Sequence, residues 1–182
     1  MQTSETQPVA NEQLNPTADI QAPANGQLNP AATAQLNKPV LQLGSKGQEV
    51  NELQRLLTTW ANYTRYSGVI DGIFDTDVRT AVIAYQHQMF LVEDGIVGNL
   101  TWQALYKGAP VNMPTLKQGS KGSAVVTLQN VLKLTGDYRS TVDGDFGSRT
   151  KAAVQAFQKR VGLVFDGIVS DRTWHALSKV PH

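Results

Sequence analysis

Two short stretches carry the side chains best suited to hold a ligand. Asp71-Gly72-Ile73-Phe74 in the first half of the chain recurs as Asp143-Gly144-Asp145-Phe146 in the second half. Asp-Gly is a turn signal in which glycine adopts a positive φ, and a Ser or Thr that follows can cap a starting helix. We therefore expect each stretch to form a tight turn that leads into a helix and shapes one wall of a binding site.

Helix starts and basic residues near these turns favour an anionic ligand. Unpaired amides at the start of a helix carry partial positive charge, which suits a carboxylate. We expect such amides near residues 46–47, 121–122 and 148–149. The candidate ligand-binding residues are Asp71, Gly72, Phe74, Arg79, Lys121, Asp143, Gly144, Phe146 and Arg149.

The residue pattern argues against metal binding and catalysis. The chain contains no Cys, which excludes a thiol nucleophile and a thiolate zinc site. Its three His lie far apart in sequence, and His87 aligns with Lys159 in the other half, so the repeat preserves no ligand set. The spacing of Asp143 and Asp145 is that of a calcium loop, but Val154 occupies the position that needs a bidentate Glu. We expect no enzyme activity and no cofactor.

The elements that position these residues are duplicated. Residues 44–57 match residues 119–132 at an offset of 75, and residues 91–105 match residues 163–177 at an offset of 72. The change of offset places three extra residues of the first copy within 60–67. Three matched blocks in the same order, the Asp-Gly stretches included, indicate a duplicated domain.

Apolar residues at helical spacing predict three helices in each copy, and no strand-like alternation is convincing. The predicted helices span about 48–61, 76–89 and 99–106, and then about 123–135, 148–161 and 171–178. The predicted fold class is all-α, with two tandem three-helix bundles after a disordered tail. The predicted domains are a tail at 1–39, a first copy at 40–108, a linker at 109–114 and a second copy at 115–182.

The first 39 residues have the composition of a low-complexity tail. Gln-Leu-Asn-Pro occurs at residues 13–16 and again at 27–30, and no aromatic residue precedes Trp60. Five of the eight Pro lie in the first 40 residues, which favours a semi-extended linker. A repeated docking motif for a partner is the alternative.

Aromatic and glutamine residues recur at matched positions. We interpret Trp102 and Trp174 as core residues rather than sugar-stacking platforms, because each lies at helical spacing in a short amphipathic helix. Four glutamines are interpreted as structural residues that bond loop backbone; they are Gln54, Gln86, Gln129 and Gln158.

The ordered motifs resemble one known family. Both copies contain, in this order, Gly-Ser-Lys-Gly-x-x-Val-x-x-Leu-Gln, Asp-Gly-x-Phe, Ala-Val-x-x-aromatic-Gln and Asp-Gly-Ile-Val-x-x-x-Thr-Trp-x-Ala-Leu. The match covers about 41–107 and 114–179, essentially everything outside the tail and the linker. The pattern is similar to the type 1 peptidoglycan-binding domain, a three-helix module attached to bacterial wall hydrolases. The resemblance implies peptidoglycan binding that targets a catalytic partner, without chemistry of its own. The first copy departs from the family at Asp75, where the second copy has Gly147.

Charge separates the copies. Residues 41–108 carry five basic and seven acidic side chains, whereas residues 115–180 carry ten basic and five acidic ones. We therefore expect bivalent wall binding in which the second copy dominates, helped by a short and stiff linker.

Two rival functions remain open: a protein–protein interaction module, and a non-catalytic subunit that recruits a wall hydrolase. Nucleic-acid binding is disfavoured by a net charge of +1 and an acidic first copy. No apolar run approaches the roughly 18 residues of a membrane span, so we expect no membrane insertion. We expect a location in the cell envelope, the periplasm or outside the cell, although the first residues lack the pattern of a secretory signal.

Overall fold

The computed structural model describes residues 36–182, which contain seven helices. They are α1 (Gln48–Thr59), α2 (Ala61–Thr64), α3 (Thr76–Gln88), α4 (Asn99–Lys107), α5 (Ser123–Leu134), α6 (Ser148–Arg160) and α7 (Asp171–Leu177). Extended pairing within these residues is limited to four isolated antiparallel bridges. The prediction of an all-α fold is therefore confirmed, while the predicted tail lies outside the described residues except for 36–39.

Six of the seven helices have bounds within about two residues of the prediction. The exception is α2, which was not predicted and which lies in the insertion of the first copy. It is followed by Arg65, whose φ of 54° is in the left-handed region. Because this residue reverses the chain after only one helical turn, the insertion forms a compact corner against α3.

Each copy has its own buried core. Tyr85 and Trp102 are fully buried in the first core, and Phe157 and Trp174 hold the equivalent positions in the second core. Trp102 is 0% exposed and Trp174 is 1% exposed, so the packing role predicted for both tryptophans is confirmed. Burial of each large ring stabilises the fold by roughly 1.5 to 3 kcal/mol, which is a large share of the stability of a small bundle.

The two tryptophans also fix the segment that enters each copy. The indole Nε1 of Trp102 donates to the carbonyl oxygen of Pro39 at 2.9 Å. In the second copy, Nε1 of Trp174 donates to the carbonyl oxygen of Pro114 at 2.8 Å. Proline supplies a carbonyl but no amide, and this carbonyl is the group that the buried indole needs.

The segment that joins the copies contributes to both cores. Val111 belongs to the first core, and Met113 packs against the second. The predicted limits of the linker and of the two copies stay predictions. Within the described part of the chain, every helix falls short of the length and apolar character that a membrane span requires.

A glutamine side chain holds the first Asp-Gly turn from behind. Gln54 Nε2 donates to Asp71 Oδ1 at 2.9 Å and to the Ile73 carbonyl at 3.2 Å, while its Oε1 accepts the Gly72 amide at 2.9 Å. Gly72 has a φ of 74°, and a Cβ there would lie 3.1 Å from the Gly47 carbonyl oxygen. Glycine is therefore required both by the turn and by its close approach to the start of α1.

The same arrangement, which we name the glutamine clamp, occurs four times. In each case the glutamine bonds the Asp carboxylate, the Gly amide and the carbonyl of the next residue. The other three clamps pair Gln129 with Asp143 and Gly144, Gln86 with Asp94 and Gly95, and Gln158 with Asp166 and Gly167. The structural role predicted for the four glutamines is confirmed.

Replacement of a clamp glutamine by leucine should destabilise the fold. In Gln54→Leu, the buried Gly72 amide loses its acceptor, which costs about 1 to 3 kcal/mol in the free energy of unfolding. Chemical denaturation followed by circular dichroism measures this change. The control is Gln48→Leu, at an exposed position of the same helix, and equal stability of the two variants would show that the clamp is dispensable.

Candidate functional site

A groove lies beside the Asp-Gly turn of the second copy. Its volume is about 290 Å³, and it runs between the loop before the turn and the start of α6. Its lining includes Tyr138, Thr141, Asp143, Ser148 and Arg149. We name it the second groove; it brings together two of the residues predicted from sequence, Asp143 and Arg149.

The first copy has a groove that overlaps this place in part, but it lies along the insertion and α3 and is not lined by the Asp71-Gly72 turn. This first groove has a volume of about 500 Å³, and its lining includes Tyr63, Tyr66, Asp77 and Thr80. Tyr66 corresponds to Tyr138 at the offset of 72 residues. The duplication has therefore preserved the tyrosine and the helix start of the groove, but not its contact with the Asp-Gly turn.

The two grooves differ in charge where α3 and α6 begin. Asp77 lines the first groove at the position that Arg149 holds in the second. The preceding Asp75 caps α3, because its carboxylate accepts the Val78 amide at 2.9 Å. Its counterpart Gly147 provides no side-chain cap for α6. The second groove thus offers a cation at an uncapped helix start to a carboxylate. The first groove has a cation, Arg65, on its opposite side, but its helix start carries Asp77 and is already capped.

The capping residue differs from the sequence prediction. We expected the Ser or Thr after each turn to cap the helix, but Thr76 and Ser148 are the first residues inside their helices. Asp75 caps α3 instead, since its shorter distance from the turn leaves its side chain outside the helix and facing the free amides.

Asp71, Gly72, Asp143 and Gly144 form the clamped turns. Gly72 and Gly144 are buried, so only the carboxylates of these turns face solvent. The pKa of Asp143 is lowered because its carboxylate accepts hydrogen bonds from the Gln129 side chain and the Asp145 amide. The pKa of Asp71 is lowered by the same two kinds of bond, from Gln54 and from the Ile73 amide. Both carboxylates therefore stay ionised well into the acid range.

Four predicted residues lie elsewhere. Phe74 and Phe146 are only 1% and 2% exposed, in the two cores, where they support the turns from inside. Arg79 donates from Nη2 to the Asp94 carbonyl at 3.4 Å, beside the other turn of the first copy. Lys121 forms an exposed ion pair with Asp145 at 2.8 Å, and this contact raises the pKa of the lysine. These four residues are not part of the groove linings described above.

The amides at the starts of α1 and α5 are not free as predicted. The Gly47 amide donates to the Gly72 carbonyl at 3.0 Å, and the Gly122 amide donates to the Gly144 carbonyl at 2.9 Å. That prediction is wrong because each Asp-Gly turn folds back onto the preceding helix start and uses these donors. The start of α6 has no side-chain cap, and the carboxylate-binding role predicted for its amides stays a prediction.

The two groove tyrosines were not identified from sequence. Tyr138 donates to the Thr141 carbonyl at 2.8 Å, and Tyr66 donates to the Val69 carbonyl at 3.1 Å, so both rings are fixed at their grooves. Their recurrence at the offset of 72 was a usable signal. Within residues 36–182, no group of three or more His, Cys, Asp or Glu side chains is placed to hold a metal ion.

Comparison with protein families places both copies in one family. The family described as "Putative peptidoglycan binding domain" matches residues 46–105 and again residues 121–177. The two matched regions contain α3 and α6, the helices that line the grooves, and all four glutamine clamps.

Several wall enzymes are similar to this chain over part of their length. It is 32% identical over 149 residues to N-acetylmuramoyl-L-alanine amidase CwlM of Mycobacterium tuberculosis, which covers 75% of the chain and 37% of the relative. It is 44% identical over 68 residues to the zinc D-Ala-D-Ala carboxypeptidase of Streptomyces albus G, which covers 35% of the chain and 26% of that enzyme. The chain spans well under half the length of both relatives.

Among solved structures, the crystal structure of the SleB N-terminal domain is 37% identical in sequence to the region it matches. That match covers 37% of this chain and 93% of the other, with a TM-score of 0.37.

Acid should weaken the second turn, and Asp143→Asn should reduce this sensitivity. Because the folded pKa of Asp143 is depressed, its contribution to stability is present above the ordinary pKa of about 4 and is lost as the pH falls through the lower folded value. Thermal unfolding at a series of pH values from 7 to 2 measures the effect. The melting temperature of Asp143→Asn should change less with pH than that of the parent chain.

The control for this prediction is Asp77→Asn, which changes an exposed carboxylate outside the clamps. If Asp77→Asn reduced the pH dependence as much as Asp143→Asn, the clamp would not be its source.

Proposed function

Because the chain belongs to the peptidoglycan-binding domain family, we propose that its two copies bind bacterial cell-wall peptidoglycan without catalysis, for wall targeting or anchoring. The proposal places the protein in the cell envelope or outside the cell. The observation that carries it is that both copies have a groove between a fixed tyrosine and the start of a helix, Tyr66 and Asp77 in the first copy and Tyr138 and Arg149 in the second.

The chemistry of the second groove suits one part of this polymer. Peptidoglycan consists of sugars with short peptides that end in carboxylates. Arg149 and the uncapped start of α6 supply the donors that a carboxylate requires, and the fixed ring of Tyr138 supplies an apolar wall. We propose that a stem-peptide carboxylate binds here, with Arg149 as the charged contact.

The first groove is proposed as the weaker site. Asp77 lines this groove in the place of Arg149 and offsets the charge of Arg65, and Asp75 already bonds the Val78 amide at the start of α3. The excess of basic residues in the second copy acts in the same direction. Two unequal sites still increase binding to a repeating polymer when both engage, by roughly 10² to 10⁴ in favourable geometry.

We further propose that the chain acts beside a wall hydrolase rather than as one. The amidase and carboxypeptidase relatives are enzymes by name, but this chain covers only 37% and 26% of their lengths. Recruitment of a separate hydrolase, or binding of another envelope protein, is the second candidate function that this similarity favours. Release of soluble fragments from purified peptidoglycan by the chain alone would contradict the non-catalytic proposal.

Arg149→Ala should weaken binding to insoluble peptidoglycan. Loss of a charge-assisted hydrogen bond in a solvent-exposed groove costs about 1 kcal/mol, which corresponds to about a fivefold rise in the apparent Kd. Co-sedimentation of the full chain with purified wall measures this change. The matched control is Arg55→Ala, an exposed arginine on α1 outside both groove linings.

The two variants separate groove binding from general charge attraction. Equal losses in Arg149→Ala and Arg55→Ala would indicate non-specific attraction to the wall. No loss in either variant would remove Arg149 from the proposed site.

A further inference from the structure

The end of α3 in the first copy contacts the last residues of the second copy. The Gln88 side chain is 4% exposed, and its Nε2 donates to the Ser178 carbonyl at 2.5 Å and to the Val180 carbonyl at 2.7 Å. Carbonyls at the end of a helix lack partners within that helix. Gln88, which belongs to the first copy, therefore supplies hydrogen-bond donors to the carbonyls that follow α7 in the second copy. We name residues 178–182 the closing segment.

Aromatic rings extend this contact. Phe90 lies edge-on to Trp174 with ring centroids 5.3 Å apart, and it stacks on His182 at 5.0 Å with only 6° between the ring planes. Phe90 also packs against the second core, although it belongs to the first copy. Its ring thus joins the two copies by apolar contact.

The backbone of Phe90 is unusual for such a residue. Its φ is 58°, in the left-handed region, where a Cβ meets steric resistance. The equivalent residue of the second copy is Gly162, which has a φ of 74° and adopts this conformation freely. A strained residue persists where its surroundings determine it, and here the surroundings are the rings of the other copy.

The residues that make these contacts differ between the copies. Gln88 corresponds to Arg160, and Phe90 corresponds to Gly162. Tyr63, which donates from its hydroxyl to the Lys179 carbonyl at 3.2 Å, lies in the insertion that the second copy lacks. All three residues that meet the closing segment are therefore specific to the first copy.

We infer that the first copy carries a docking surface for the closing segment, and that this surface holds the two copies as one rigid body with their grooves at a fixed spacing. The surface consists of Tyr63, Gln88 and Phe90. Tyr63 also lines the first groove, so the contact that fixes the copies borders a binding site. Only the consequence for wall binding rests on the proposed function.

The test uses the full chain and a variant that should still fold. Gln88→Arg with Phe90→Gly gives the first copy the residues that the second copy has at these positions, and glycine removes the backbone strain at residue 90. ¹⁵N relaxation measures the rotational correlation time of each copy. The parent chain should show one common correlation time, and the double variant should show two shorter and unequal ones.

The control is Leu100→Arg, which also introduces a second-copy residue into the first copy, at an exposed position of α4. It should keep the common correlation time. Independent tumbling in the parent chain, or an unchanged common time in the double variant, would overturn the inference. If the double variant does not fold, His182→Ala removes the stacked ring without entering either core and gives the same test.

Acid should release the closing segment. His182 lines a cavity of about 340 Å³ between the copies, its Nε2 is buried without a hydrogen-bond partner, and burial lowers the pKa of His182. The titratable groups that face it are His87 and Glu93, while the α5 side of the cavity contributes only uncharged residues. Its neutral form therefore supports docking above the ordinary pKa of about 6.5, and that support is lost as the pH falls through the lower folded value.

Correlation times measured between pH 7.5 and 5 check this expectation. They should separate as the pH falls in the parent chain. In His182→Ala they should already be separate at pH 7.5 and should not change further as the pH falls. A pH-independent common time in the parent chain would remove His182 from the contact.

Co-sedimentation with purified peptidoglycan then tests the consequence for binding. The double variant should bind the wall several-fold less tightly than Leu100→Arg if fixed spacing aids bivalent contact. A parent chain that tumbles as one body but does not sediment with the wall would contradict the proposed function and leave the docking inference intact. Unequal tumbling in the double variant with unchanged wall binding would show that fixed spacing does not aid binding.

Discussion

The fold depends on one hydrogen-bond arrangement, the glutamine clamp on an Asp-Gly turn. An amide side chain is suited to this task because it donates and accepts in one plane, so it bonds an Asp carboxylate, a backbone carbonyl and a Gly amide at once. Each glutamine projects from a helix, and each turn leads to the next helix. The clamp therefore fixes where the following helix begins. Since three short helices have a small core, this polar network determines positions that apolar packing alone leaves underspecified.

The same clamp explains how two similar copies present different surfaces. It buries the glycines and the aromatic side chains of the turns but leaves the first residues of α3 and α6 in solvent. Those residues are free to differ without cost to the cores. Asp75 and Asp77 in the first copy, against Gly147 and Arg149 in the second, change the charge and the available donors of a groove whose backbone frame is retained.

Much of this organisation was predictable from sequence because its signals are local or repeated. Helical spacing identified six helices, and the duplication marked Trp102 and Trp174 as equivalent core positions. The role of the amides at Gly47 and Gly122 was not predictable, because their acceptors lie more than 20 residues away in the folded turns. The contacts of Gln88 join residues about 90 positions apart, and no periodicity reports such a pairing. Sequence patterns therefore predicted the helices, whereas the long-range polar contacts are visible only in the folded structure.

Duplication alone does not make a bivalent receptor. Two copies on a flexible linker can match many ligand spacings. When the second copy binds, however, it loses its freedom to move relative to the first, and this loss is an entropic cost of binding. A docked pair has already lost that freedom on folding, so it binds a matching pair of ligand sites with a smaller entropic cost and rejects spacings that do not match. Gln88 and Phe90 hold the end of the second copy against the first. These contacts, more than the two prolines of the connecting segment, decide whether the two copies bind as a docked pair or as independent units.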